Sequence, residues 1–377
     1  MNIPFNKPYL TGKESGYIQD VLRSGKFSGN GAYTARCQRF FEERYGFGKC
    51  LLTTSCTDAL EMAAILAGIR PGDEVIMPSY TFVSTANAFV LRGAHIVFAD
   101  SGARHTNLDA DTIEPLITPK TRAIVVVHYA GAACDMDTVM EIAGRYGLYV
   151  VEDAALALDA FYTGRDGRKR ALGSIGHLAA FSFHETKNVI SGEGGLLAVN
   201  DPALWERAEK VWEKGTDRSA FFRGEVDKYG WVDVGSSFLP AETVAAFLWA
   251  QLEELDHIQA LRRAHWETYA AALAGLPRER GVELPYIPPG AGHNAHIFYL
   301  VCGSPGQRSA LIAALKRQGI GTAFHYQGLH DSPFYQSRHD GRELPNCVRY
   351  TERLLRLPLY PELDPRPVID ALLGFDG

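Results

Sequence analysis

Two residues carry most of the chemical potential of this sequence, Lys187 and Asp153, 34 positions apart. Lys187 stands just past the apolar stretch Phe181-Ser182-Phe183. A lysine becomes a nucleophile only when its charged form is destabilised, and desolvation beside a cationic group does that. Asp153 closes the run Leu148-Tyr149-Val150-Val151-Glu152-Asp153, which places a carboxylate at the end of a buried strand, where ligands of open α/β sheets are met. Plainer readings exist for both. Most lysines are solvated, and an aspartate here could cap a helix starting near Ala154-Ala155.

Other segments sharpen the pattern. Ser191-Gly192-Glu193-Gly194-Gly195 leads from Lys187 into another apolar run, and its glycines permit close backbone approach to a ligand. Thr53-Thr54-Ser55-Cys56-Thr57-Asp58 precedes an apolar-periodic segment, which is how a helix N-terminus reads. Free N–H groups at such a helix start would then suit a phosphate, with the Ser182 hydroxyl as a further donor. Pro78-Ser79-Tyr80-Thr81-Phe82-Val83 follows a strand, so Phe82, or failing it Tyr80, is placed to stack on a flat ring. If that ring is pyridoxal phosphate, Asp153 would keep its pyridine nitrogen protonated and make it an electron sink. Gly29-Asn30-Gly31 has no preceding strand and is not a dinucleotide fingerprint. His184-Glu185 and His293-x-x-His296 complete no metal site.

The elements that must position these residues are legible as apolar runs at 74–77, 95–98, 123–127, 148–151, 178–181 and 196–199. They predict strands buried on both faces, because such strands lose the alternation of polar and apolar residues. Helices are expected between them at about 57–68, 82–92, 135–146 and 201–214. This alternation predicts an α/β fold with a mostly parallel sheet. Residues 241–273 read as one helix, followed by a strand at 297–301, a helix at 307–318 and a strand near 322–326. We therefore expect a large domain over 1–250 and a small α+β domain over 251–377.

Composition narrows the class. The net charge of −6 comes without a basic block, which argues against nucleic acid as a partner. No apolar run approaches the ~20 residues of a membrane span, and the N-terminus lacks an apolar signal core. Six cysteines (37, 50, 56, 134, 302, 347) are scattered without a C-x-x-C pair, so we expect reduced thiols, a cytoplasmic protein and no metal.

Taken in order, Ser55-Cys56-Thr57, Pro78-Ser79-Tyr80-Thr81-Phe82-Val83, His128-Tyr129-Ala130-Gly131, Glu152-Asp153-Ala154-Ala155, Ser182-Phe183-x-x-x-Lys187-Asn188 and Gly192-Glu193-Gly194-Gly195 resemble the DegT/DnrJ/EryC1/StrS sugar aminotransferases, nearly end to end. The resemblance implies the aspartate aminotransferase fold (fold type I), pyridoxal 5'-phosphate and a homodimer with shared active sites. It also implies Lys187 as the Schiff-base lysine, Asp153 as the pyridine-nitrogen partner, Cys56, Thr57 and Ser182 as the phosphate cradle, and Phe82 as the stacking ring. Where many members offer the neighbouring subunit's phosphate an asparagine, this sequence has Ser237. His325 and Tyr326 match the substrate side. Position 156, usually glutamine, is leucine here.

Segments 78–93, 181–188, 221–229 and 235–238 are similar to one branch, the enterobacterial-common-antigen transaminases. These move an amino group from L-glutamate to C4 of dTDP-4-keto-6-deoxy-D-glucose, giving dTDP-4-amino-4,6-dideoxy-D-galactose and 2-oxoglutarate. Alternatives within the reading are a transaminase for another nucleotide-linked ketosugar (3-keto or GDP-linked) and a catalytically silent binding protein on the same fold.

Overall fold

The structure is a computed structural model, described here for residues 2–375. Two helices lead in, α1 (Glu14–Ser24) and α2 (Ala32–Tyr45). A distant carboxylate replaces the usual cap of α2: Glu242 accepts the N–H groups of Gly31, Tyr33 and Thr34.

Seven strands build the central sheet: β1 (Lys49–Thr53), β2 (Glu74–Pro78), β3 (His95–Ala99), β4 (Thr121–Val127), β5 (Tyr149–Asp153) and, after a small hairpin of β6 (Phe161–Thr163) and β7 (Lys169–Ala171), β8 (Leu178–Ser182) and β9 (Gly195–Val199). Their order is β1-β9-β8-β5-β4-β2-β3. β9 is antiparallel to both neighbours and the other pairs are parallel. Helices α3 (Cys56–Leu66), α4 (Val83–Val90) and α5 (Met136–Tyr146) make the crossovers. After β9 come α6 (Trp205–Trp212) and the short α7 (Arg218–Phe222).

Successive residues of one strand serve opposite cores. Leu51, Met77, Val125, Val151 and Leu197 pack with residues of α3 and α4, whereas Leu52, Ile76, Ile124, Val150 and Leu196 pack with residues of α2 and α5. Both faces are therefore dry, which is why the strands read as continuous apolar runs.

The segment read as one helix is two, α8 (Glu242–Glu253) and α9 (Leu255–Ala272). The backbone breaks at Glu254 (φ −107°, ψ 11°), whose carboxylate is drawn to Lys13 at 2.6 Å. The rest comprises α10 (Leu276–Arg280), β10 (Tyr299–Val301), α11 (Pro305–Arg317), α12 (Pro345–Arg353), β11 (Leu354–Arg356) and α13 (Arg366–Leu373). A third core gathers Ile3, Tyr269, Phe298, Leu300, Leu315 and Leu355.

Residues 322–326 are not a strand. Only Ala323 bridges β11, and the His325 carbonyl instead accepts the hydroxyls of Tyr80 and Tyr129 at 2.7 and 2.9 Å. The true partner of β10 is β11. No helix begins at Ala154 either: the chain turns there, with the Ala155 N–H on Asp153 Oδ1 at 3.2 Å.

Candidate active site

The reversal of β9 creates the site. β8 ends and β9 begins at the same edge, so Gly195 stands opposite both Ser182 and Thr53, the residue from which the chain turns into α3. A Cβ on Gly195 would lie 2.4 Å from the Ser55 carbonyl carbon and 2.5 Å from the Cys56 nitrogen. Only glycine lets β9 pass beneath that turn. Ser55 caps α3, its Oγ accepting the Asp58 N–H at 3.1 Å. The N–H groups of Cys56 and Thr57 are among those a helix start leaves without an intrahelical partner. Ser182 lines the same cavity, and donors of this kind suit a phosphate.

The loop between β8 and β9 carries Lys187 and is closed on itself. The Glu185 N–H donates to the Gly192 carbonyl at 2.9 Å and the Ser191 N–H to that of Phe183 at 2.7 Å. Phe183 is buried and stacked on Phe41, with centroids 5.5 Å apart. On the other side of Lys187, buried Asn188 donates to Gln259 Oε1 and the Asn294 carbonyl, at 2.9 and 3.0 Å. Its Oδ1 must then accept the Nδ1–H of His296, at 2.7 Å. That contact fixes the tautomer of His296 and leaves Nε2 as a lone pair. Anchored on both flanks, Lys187 projects into a cavity of about 500 Å³. Burial pushes its ammonium down to about 8, with Arg356 acting in the same direction and Asp153 opposing.

Asp153 ends β5 and is 6% exposed. Thr85 Oγ1 donates to its Oδ2 at 2.7 Å, and Thr81 supports Thr85 at 2.8 Å. Burial raises the carboxyl above its ordinary range, against these donors and the charge of Lys187. A buried carboxylate without an ion pair among the described residues calls for a cationic partner, and a protonated pyridine nitrogen supplies one. Behind it, Glu152 faces the opposite way. It takes His128 Nε2 at 2.9 Å and the N–H groups of Gly173, Ile175 and Gly176, which locks the turn between β7 and β8 onto β5.

Cys56, Thr57, Phe82, Asp153, Ser182, Lys187, His325 and Tyr326 all line this one cavity. Phe82 is 55% exposed, with its ring 6.0 Å from that of Tyr326. Ser237 is not among the lining residues; it lies exposed, bridged through its backbone to Glu213. Leu156 is buried at the cavity wall. Burial, with Asp153, pushes the Cys56 thiol well up, which disfavours a thiolate there. Sequence reading missed Thr85, His296, Arg262 and Arg356. The cue that singled out Asp153, a charged residue closing a buried run, also fits Arg356 at the end of β11.

Fold and cavity together define a pyridoxal-phosphate-dependent aminotransferase of fold type I. The model of the DegT/DnrJ/EryC1/StrS aminotransferase family matches residues 8–372, and the chain belongs to that family, the sugar aminotransferases. It is 34% identical over 379 residues to the spore coat polysaccharide biosynthesis protein SpsC of Bacillus subtilis, covering 98% of this chain and 95% of that one. Among solved structures, it is similar to DesV of S. venezuelae, with 33% identity, a TM-score of 0.89 and coverage of 98% and 97%. The aminotransferase TlmJ of Streptoalloteichus hindustanus also has a TM-score of 0.89, with 30% identity and coverage of 99% and 98%.

Proposed function

We propose that this chain transfers the amino group of L-glutamate to C4 of dTDP-4-keto-6-deoxy-D-glucose, yielding dTDP-4-amino-4,6-dideoxy-D-galactose and 2-oxoglutarate. The observation that carries the amine chemistry is the pairing of Lys187, its ammonium destabilised to about 8, with buried Asp153 across one cavity. Support for the particular sugar comes from segments 78–93, 181–188, 221–229 and 235–238, which resemble the transaminases of that substrate. The product would feed a cell-surface polysaccharide.

In this reading pyridoxal phosphate supplies the carbonyl that accepts the amine and the ring that stabilises negative charge at the substrate carbon. Cys56 N–H, Thr57 N–H and Ser182 Oγ would hold its phosphate, Phe82 would cover its ring, and Asp153, oriented by Thr85, would hold a proton on its nitrogen. Lys187 would anchor the cofactor at rest; once free, its Nζ would act as general base toward the donor's Cα and, in the second half of the cycle, as general acid toward C4 of the sugar. His325 and Tyr326 would face the sugar. Leu156 presents an apolar wall where relatives offer an amide.

We further propose a homodimer in which Ser237 reaches the neighbouring phosphate. The exposed apolar residues of the 218–237 segment support it, among them Phe222 at 69% and Trp231 at 85%. Six free cysteines support a reducing, cytoplasmic setting. No helix among the described residues is long and apolar enough to cross a membrane. An amination assay with glutamate and a panel of nucleotide ketosugars, with the product's C4 configuration read by NMR, tests the proposal. Exclusive turnover of a 3-keto or GDP-linked sugar refutes the substrate, and no turnover of any refutes the class.

A further inference from the structure

Three hydrogen bonds fix His296 in place. Its backbone N–H donates to Asn294 Oδ1 at 3.1 Å, its carbonyl accepts from Arg262 Nη2 at 2.8 Å, and its Nδ1–H donates to Asn188 Oδ1 at 2.7 Å. Asn294 is itself tied down, its amide donating to the carbonyls of Leu156 and Leu158 at 2.8 and 2.7 Å. His296 is only 5% exposed, yet it lines the cavity. With Nδ1 committed as a donor, Nε2 carries a lone pair. That atom meets no donor among the described residues and is not sealed from solvent, so it opens on the cavity. Arg262 and Arg356, which share the lining with it, can only donate. A rigid, unused acceptor therefore faces the space where substrates bind.

The surroundings select its partner. Burial opposes a proton on the ring, and Lys187, Arg262 and Arg356 act in the same direction. The same three cations disfavour an ammonium group beside it, and a lone pair repels a carboxylate or a phosphate. A neutral hydroxyl remains. In the reading above, the amino acid brings an ammonium and two carboxylates, whereas the sugar brings hydroxyls.

We infer that His296 Nε2 accepts the sugar hydroxyl on the carbon next to the ketone, and so selects ketosugars that carry it. The inference rests on the sugar aminotransferase reading. Asn188, which sets the tautomer, directly follows Lys187 in the chain, so the acceptor is tied to the same anchored turn as the amine that serves the reacting carbon. Its hydroxyl partner must then lie close to that carbon. In a 4-keto-6-deoxyhexose, C4 is flanked by C5, which bears the ring oxygen and the methyl carbon, and by C3, which bears a hydroxyl. The C3 hydroxyl is the one in reach. A site built around such a hydrogen bond discriminates strongly against an analogue that lacks the hydroxyl.

Two variants of the full-length, cofactor-loaded enzyme test this. His296→Asn keeps an N–H donor at the δ position for Asn188 and withdraws the acceptor; His296→Gln places an amide oxygen near the ε position. Isothermal titration of the lysine-bound cofactor form, which cannot aminate a ketone, gives Kd for the ketosugar nucleotide and for its 3-deoxy analogue without turnover. The wild type should bind the hydroxylated sugar about 10-fold tighter than the analogue. H296N should bind both alike, at the weaker value, and H296Q should recover part of the gap. The Kd of 2-oxoglutarate, which has no hydroxyl to offer, should stay unchanged in both variants. A gap that persists in H296N overturns the inference, as does a weakening shared equally by 2-oxoglutarate. A wild type that binds no ketosugar sinks the inference together with the sugar reading; one that aminates the sugar but shows no loss in H296N sinks the inference alone.

Discussion

Gly195→Ala tests how the fold makes the cofactor site. The added methyl would sit 2.4 Å from the Ser55 carbonyl carbon and 2.5 Å from both the Ser55 oxygen and the Cys56 nitrogen. All three are backbone atoms, so no side chain can swing aside. Relief to van der Waals distance, about 3.5–4.0 Å, requires the α3 start and β9 to part by more than an ångström. Two losses follow. Overpacking of this kind costs about 1–3 kcal/mol of stability. The displaced N–H groups of Cys56 and Thr57 also lose their grip on the phosphate, at about 1.5–3 kcal/mol for each hydrogen bond to a charged group. Both together correspond to a cofactor affinity lower by about 10²–10⁴. The assay is a fluorescence titration of cofactor-free protein with pyridoxal phosphate, alongside urea unfolding. Gly16→Ala, in α1 with open space around the added methyl, is the control and should be stabilising by about 0.5–1 kcal/mol. If G195A bound cofactor as the wild type does, the argument from close approach would be wrong.

Further outcomes are expected. Lys187→Ala should abolish turnover and the visible absorbance of the lysine-bound cofactor. In the wild type, burial favours the neutral amine, so cofactor uptake should quicken as pH climbs through about 8 and be about tenfold faster at pH 9 than at pH 7; a flat stopped-flow profile would contradict this. Asp153→Asn keeps a polar group for Thr85 but removes the charge, and should lower kcat far more than Thr85→Val, whose lost hydrogen bond is worth about 1 kcal/mol. Glu152→Ala strands His128 and three N–H groups and should destabilise by about 3–5 kcal/mol in denaturant titrations. Trp231→Glu, at the exposed apolar loop where the dimer contact is proposed, should shift sedimentation toward the monomer and weaken cofactor retention, and an unchanged profile would refute that contact.

Much of this was legible in order and type. Six strands of the central sheet were readable because burial on both faces makes each a continuous apolar run. The polar residue closing the fifth strand of that sheet led directly to Asp153. β1 escaped notice because Lys49 and Cys50 open it and only Leu51 and Leu52 carry the apolar signal. The strand expected at 322–326 failed because two tyrosine hydroxyls, from residues 80 and 129, compete for the His325 carbonyl. Neither neighbour is visible from the local sequence.

By itself, the sequence determined the α/β class, the family and eight of the residues that line the cavity, Lys187 and Asp153 among them, since these depend on local patterning and on motifs kept in a fixed order. Tertiary structure alone decided that β9 runs backwards, so that Gly195 must slip under the α3 turn. It also set the tautomer of His296 through Asn188, brought Thr85 onto Asp153, and left Arg262 and Arg356 on one wall with no carboxylate partner among the described residues. Each of these joins residues tens to hundreds of positions apart. Their consequences lie in desolvation and in which partner a buried polar atom finds, and neither is written along the chain.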